Sequence, residues 1–174
     1  MENSLKIVTT PMCEEIVKLA GISDYKVSKD PDSAHADVAV VLSETQTATK
    51  SLKIKLNTFK QIKESIILLS NSFGTKPLNY EIKNTKDSNK DKNRKIKVRV
   101  YSNFLKDIVE DMGYNIVQEN PHFVVYPDYM KDEIKIEDYS KAVEIPSHKN
   151  APLNPIKRAE MKYNILEKEL CMKP

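Results

Sequence analysis

A chain of 174 residues can bury one sizeable core, or two small lobes that share one. Lys and Arg (28) nearly balance Asp and Glu (25), and the net charge of +3 is too small an excess for a dedicated nucleic-acid binder. No apolar run approaches the ~20 residues of a membrane-spanning helix, so no membrane partner is expected.

The opening MENSLK lacks the apolar core of a signal peptide, which leads us to expect a cytoplasmic protein. Leu5 to Val8 reads as a short buried strand. Thr10 is a good N-cap residue, with Pro11 at the first helical position, where a missing N–H costs nothing. Ile16, Val17, Leu19 and Ala20 supply the apolar side of this helix, and Gly21 is placed to end it in a left-handed cap. Tyr25 to Ser28 alternates like a short edge strand, and Asp30 to Asp37, with Pro, Ser and three Asp, reads as a loop. Ala36 to Leu42 is a continuous apolar run of the kind found in a parallel strand buried on both faces. Ser43 to Thr49 follows, dense in hydroxyls and amides. Leu52 to Leu56 alternates as another strand, and Thr58 to Gln61 matches a capping box that opens a helix through Ile62, Ile66, Leu69 and Phe73, stopping at Gly74.

Lys83 to Lys95 has no apolar residue, and we read it as a solvated linker or loop, with a polyanion-binding arm as the sharper alternative. Beyond it the opening pattern returns. Ile96 to Tyr101 is a strand, Asn103 a candidate N-cap, and Phe104 to Met112 a helix ending at Gly113. Aligning Gly113 with Gly21 sets Ile108-Val109 on Ile16-Val17 and Leu105 on Cys13, and His122 to Tyr126 then stands where Val38 to Leu42 stood. The expected fold is therefore α/β: two degenerate β-α-β-β halves with mostly parallel strands, residues 1–82 and 96–174, joined across 83–95. After a proline-rich stretch, Pro146 to Pro155, a last helix carries Ile156, Ala159, Tyr163, Leu166 and Leu170 on one face, suited to docking on the core or on a second copy in a homo-oligomer.

Two free cysteines form neither a disulfide framework nor a metal-spacing motif, and His35, His122 and His148 are scattered, so no metal site is expected. His122, at the entrance to a strand, reads as structural. Cys171, at a helix C-terminus, reads as chemically quiet. Three glycines, none in a phosphate-loop arrangement, disfavour an ATPase or a dinucleotide dehydrogenase. Cys13 is the residue with chemistry. On the register above it occupies the third helical position, near free N–H groups and the positive helix end, where a thiol pKa can drop from about 8.5 to roughly 3.5–7.5. Glu14 and Glu15 work against a thiolate. A second reading stands beside the first: a buried cysteine used as a small apolar residue. Ligands of open parallel sheets gather at the carboxyl ends of the strands. There the loops holding Thr9, Thr10 and Met12, and Ser43, Glu44, Thr45 and Thr47, are expected to meet, with hydroxyls for phosphate or ribose and the Glu44 carboxylate able to read a guanine edge.

The segment KIVTTPMC, with its cysteine closing a strand–turn and opening a helix near the start of a small two-lobed α/β chain, resembles HcgF-type proteins of iron–guanylylpyridinol (FeGP) cofactor biosynthesis for the Fe-hydrogenase of methanogens. The resemblance implies that guanylylpyridinol is the substrate, with no tightly bound cofactor. It also implies that Cys13 accepts the pyridinol carboxyl as a thioester once an HcgE-like partner has adenylylated it. An acyl adenylate carries a good leaving group, so a positioned thiolate needs little further help. Two alternatives remain: a non-catalytic nucleotide-binding or protein-interaction module, and a redox sensor, the latter weakened by the lack of a nearby resolving cysteine.

Overall fold

The computed structural model describes residues 4–82 and 89–171. The chain divides into two compact units, Met1–Ile82 with Leu153–Ile156, and Lys83–Pro152 with Lys157–Pro174. Both are α/β, each built on a four-stranded sheet in which every pairing is parallel.

In the first unit β1 (Ile7–Thr9) leads through a turn to α1 (Glu14–Leu19), then β2 (Lys26–Val27), β3 (Val38–Leu42), β4 (Ser51–Ile54) and α2 (Phe59–Phe73). The strand order is β2-β1-β3-β4. β1 and β3 lie at the centre because their side chains suit burial on both faces, and Ala39, Val40 and Val41 are fully enclosed. Val8, Ala39 and Val41 form one face of the core, with Ala34 and Ala36 packed against it. Edge strand β2 is exposed throughout, in keeping with its Lys-Val sequence. The capping box of α2 is complete: Thr58 accepts from the Gln61 N–H at 3.1 Å, and Gln61 Oε1 accepts from the Thr58 N–H. Gly74 ends that helix in the left-handed region.

The connection from β3 to β4 contains no helix, although parallel strands are usually joined by a dozen residues or more. Residues 43–50 return the chain directly. Ser43 N–H donates to Ile54 O at one end of the strand pair, and Ala39 N–H to Lys50 O at the other. Asp32 secures the return, accepting from the Thr47 hydroxyl (2.5 Å), the Ala48 N–H (3.0 Å) and the Thr49 N–H (2.9 Å). These bonds hold the Asp32 carboxyl well below the usual carboxylate range.

The second unit holds α3 (Lys90–Asn93), β5 (Lys97–Val100), α4 (Asn103–Asp111), β6 (Asn115–Ile116), β7 (Phe123–Pro127), β8 (Ala142–Ile145) and most of α5 (Pro155–Glu169). Its sheet runs β6-β5-β7-β8, the same order as the first. The equivalence extends to detail: Gly21 and Gly113 both take positive φ, and Ile16-Val17 and Ile108-Val109 are all fully buried. His122 has the structural part expected of it, its Nδ1 accepting from the Lys97 N–H at 3.0 Å.

Several expectations need correction. Cys13, not Thr10, is the N-cap of the first helix, which is only six residues long. Ser102, not Asn103, caps α4, accepting from the Leu105 N–H. The stretch expected as a linker over 83–95 contains the one-turn helix α3, while residues 83–88 lie outside the described residues. That turn is anchored where sequence patterning sees nothing: the Asn93 side-chain amide donates to Met112 O, and Lys90 lies close against Gly113. Among the described residues no helix is long and apolar enough to cross a membrane.

Candidate functional site

The expected place for chemistry is the carboxyl end of the first unit's sheet. There the chain leaves β1 through Thr10-Pro11-Met12-Cys13. The Cys13 N–H turns back to Thr10 O at 3.0 Å, and Cys13 O is the first helical acceptor, taking the N–H groups of Ile16 and Val17. The tight turn consumes the residues that had been assigned to the first helical turn. Cys13 therefore caps α1 instead of lying inside it, and its side chain makes no capping bond.

The thiol is fully enclosed, with 0% of the residue exposed. Burial pushes its pKa up to about 11, a hydrogen bond from Thr10 pulls the other way, and the Glu44 carboxylate adds to the rise. Desolvation thus works against the activation expected of a helix end, and a thiol pushed up to about 11 is protonated at neutral pH. The comparison of the two units gives the reason for the burial. Leu105, which aligns with Cys13, is also 0% exposed, so each unit encloses the side chain at this place in the repeat.

The two loops named from the sequence do converge in part. The charge of Glu44 reaches Cys13, and the Ser43 hydroxyl donates to Glu44 Oε2 at 2.9 Å. Glu44 itself is exposed, and Ser43, Thr45, Thr10 and Met12 are half-buried. Thr9 is fully buried, its hydroxyl donating to Val40 O at 3.0 Å, so it ties β1 to β3. The Thr47 hydroxyl is held by Asp32, where the return loop has already left the carboxyl ends of the strands. Glu14 lies 3.4 Å from Lys18 Nζ and accepts from the Tyr25 hydroxyl. Cys171 is exposed, and both cysteines are free. Among the described residues no group of three or more His, Cys, Asp or Glu is placed to hold a metal ion.

Sequence reasoning passed over a second cluster, at the carboxyl ends of β5, β7 and β8. Asp128, just after β7, accepts from the Ser147 N–H (3.1 Å), the Ser147 hydroxyl and the Asn150 amide (2.8 Å). Burial opposes its ionisation, yet these bonds outweigh it and hold the carboxyl below its usual range. Lys162, on α5, is buried with its Nζ 4.3 Å from the centroid of the Phe104 ring in the first turn of α4. Burial, then the Arg158 charge, push this ammonium down to about 8, while Asp128 works in the opposite direction. Arg158 is half-buried, its Nε donating to Pro152 O at 2.7 Å and Nη2 to His148 O at 3.3 Å. The only sequence signal was a lysine on the apolar side of an amphipathic helix, beside Tyr163 and Leu166.

No family model and no curated protein matches the chain. Among solved structures, a Zn(II)-bound variant of AdcAII from Streptococcus pneumoniae is similar at a TM-score of 0.44 and 10% identity, over 97% of this chain and 100% of that one.

Proposed function

We propose that this chain is a small-ligand-binding protein, receiving a nucleotide-bearing molecule at the carboxyl ends of the first unit's strands, with Cys13 as a packed residue and no chemistry of its own. The observation that carries this reading is the burial of that cysteine, which is fully enclosed, as is Leu105, the residue that aligns with it in the second unit. What remains for a ligand is the half-exposed rim of Thr10, Ser43, Glu44 and Thr45. Its hydroxyls suit phosphate or ribose, and its carboxylate can accept from a guanine edge. Titration with guanosine monophosphate tests it. Amide signals of Ser43 to Thr45 should shift and saturate, equally in Cys13→Ala, and an unchanged spectrum would refute the reading.

A second reading keeps the resemblance to HcgF-type proteins. On it, Cys13 attacks the adenylylated carboxyl of guanylylpyridinol, the S–H proton passes to Glu44, the thioester forms and adenylate leaves. Its support is a hydrogen bond from Thr10 to the sulfur and a Glu44 carboxylate near enough for its charge to act on the thiol, the group that would take up the proton once the turn opens. It requires the turn at Thr10–Cys13 to open on ligand binding. Intact-protein mass spectrometry after incubation with the activated substrate separates the two. An adduct lost in hydroxylamine and absent from Cys13→Ala selects the thioester, and an unchanged mass selects simple binding.

A further inference from the structure

Two positive features meet at Phe104 in the second unit, with the Asp128 carboxylate as the negative charge that reaches one of them. The first is the N-terminus of α4, a nine-residue helix. Ser102 Oγ satisfies the Leu105 N–H and Ser102 O the Lys106 N–H, while the N–H groups of Asn103 and Phe104 have no acceptor among the described residues. The second is Lys162, 5% exposed, whose ammonium stands over the ring of Phe104 in that same first turn. Among the described residues this ammonium donates no hydrogen bond and closes no ion pair. Arg158, one helical turn earlier on α5, adds a second cation. Asp128 is the acidic group whose charge reaches Lys162, and its oxygens are occupied by Ser147 and Asn150.

A buried ammonium beside the positive end of a helix is unfavourable by itself, since both features repel further positive charge. The face of Phe104 relieves part of this through the cation–π contact. An anion relieves the rest, and the donors available match an oxyanion with several oxygens: two adjacent backbone N–H groups and an ammonium. The place is also the one that sheet topology favours for ligands, at the carboxyl ends of β5 and β7.

We infer that the carboxyl end of the second unit's sheet is a binding site for a phosphate group, held by Lys162 and the free N–H groups of Asn103 and Phe104. Arg158 contributes charge while anchoring the segment 148–152, and Asp128 limits the net charge of the site to what one oxyanion neutralises. This site lies within the second unit and does not depend on the reading of Cys13.

Inorganic phosphate is the probe, titrated into the isotopically labelled full chain against sodium chloride of equal ionic strength and against acetate. The Asn103 and Phe104 amide signals should move and saturate with phosphate alone, and Lys162→Met should weaken the apparent affinity about tenfold or more, the usual effect of losing a charge-assisted bond. Equal movement with chloride or acetate, or an affinity unchanged in Lys162→Met, would overturn the assignment. If that variant does not fold, the wild-type signals decide alone: saturable phosphate-specific movement at these two amides supports the site, and its absence refutes it.

Discussion

Cys13 and Lys162 are both ionisable side chains that the fold encloses, and their titrations oppose each other. The folded-state pKa of Cys13 is raised from 9.0 to about 11. Between those values the unfolded chain has lost its proton and the folded chain has not, so this group lowers stability as pH rises through that window. Lys162 is lowered from 10.5 to about 8. Between 8 and 10.5 the unfolded chain holds the extra proton, so this group raises stability with pH. Denaturant midpoints measured from pH 8 to 10.5 should therefore show a steeper rise in Cys13→Ala than in wild type, and a fall in Lys162→Met. At neutral pH, Lys162→Met should raise the unfolding free energy by about 1–3 kcal/mol, because it removes a buried charge at similar volume. Cys13→Ala should cost roughly 1 kcal/mol for the small cavity it leaves. Alkylation with iodoacetamide at pH 8 should label the exposed Cys171 and leave Cys13 untouched. Rapid labelling of Cys13 would show that the turn around it opens readily.

At the scale of the element, turns and caps decide where chemistry sits. The three glycines all take positive φ, but they differ in surroundings. A Cβ on Gly21 would lie 2.1 Å from Lys76 O, whereas one on Gly74 would meet nothing within 4 Å. Gly74→Ala should thus cost only the left-handed backbone penalty of about 1–2 kcal/mol. Gly21→Ala should cost clearly more, because the Lys76 backbone must move as well. Thermal melts of the pair test the difference, and equal losses would mean that the chain at Lys76 yields freely. Thr58→Ala removes one half of the capping box and should lower stability by about 1 kcal/mol. That box was legible from Thr58 and Gln61 alone, since both partners lie within one turn. The start of α1 was not. Thr10-Pro11 satisfies the rules for a helix start and for a tight turn equally well, and the choice was made by the sheet, which sets where the chain leaves β1.

At the scale of the molecule, two parallel sheets of identical strand order stand in one chain with little sequence identity between them. Each depends on the helix that closes it. In α5, Ala159, Tyr163, Leu166 and Leu170 are buried, and Tyr163 donates to Asp111 on α4. Truncation after residue 152 should accordingly abolish the cooperative melt of the second unit. Retention of a full two-unit transition by circular dichroism would show that α5 is dispensable. The architecture was readable because the repeat of strand, helix, glycine and buried strand leaves a periodic apolar pattern. Strands β6 and β8 were not read: Asn115-Ile116 is too short, and Ala142 to Ile145 alternates for only four residues amid charged neighbours.

The sequence by itself determined the α/β class, the central apolar strands, the α2 capping box, the glycine helix ends and the duplication of the two halves. All of these rest on contacts between near neighbours or on the apolar period of single elements. The enclosure of Cys13, the diversion of Thr9 and Thr47 to structural bonds, and the burial of Lys162 against Phe104 were decided only by the tertiary structure. A side chain's ionisation depends on which distant segments remove its water, and Phe104 and Lys162 lie far apart in the chain.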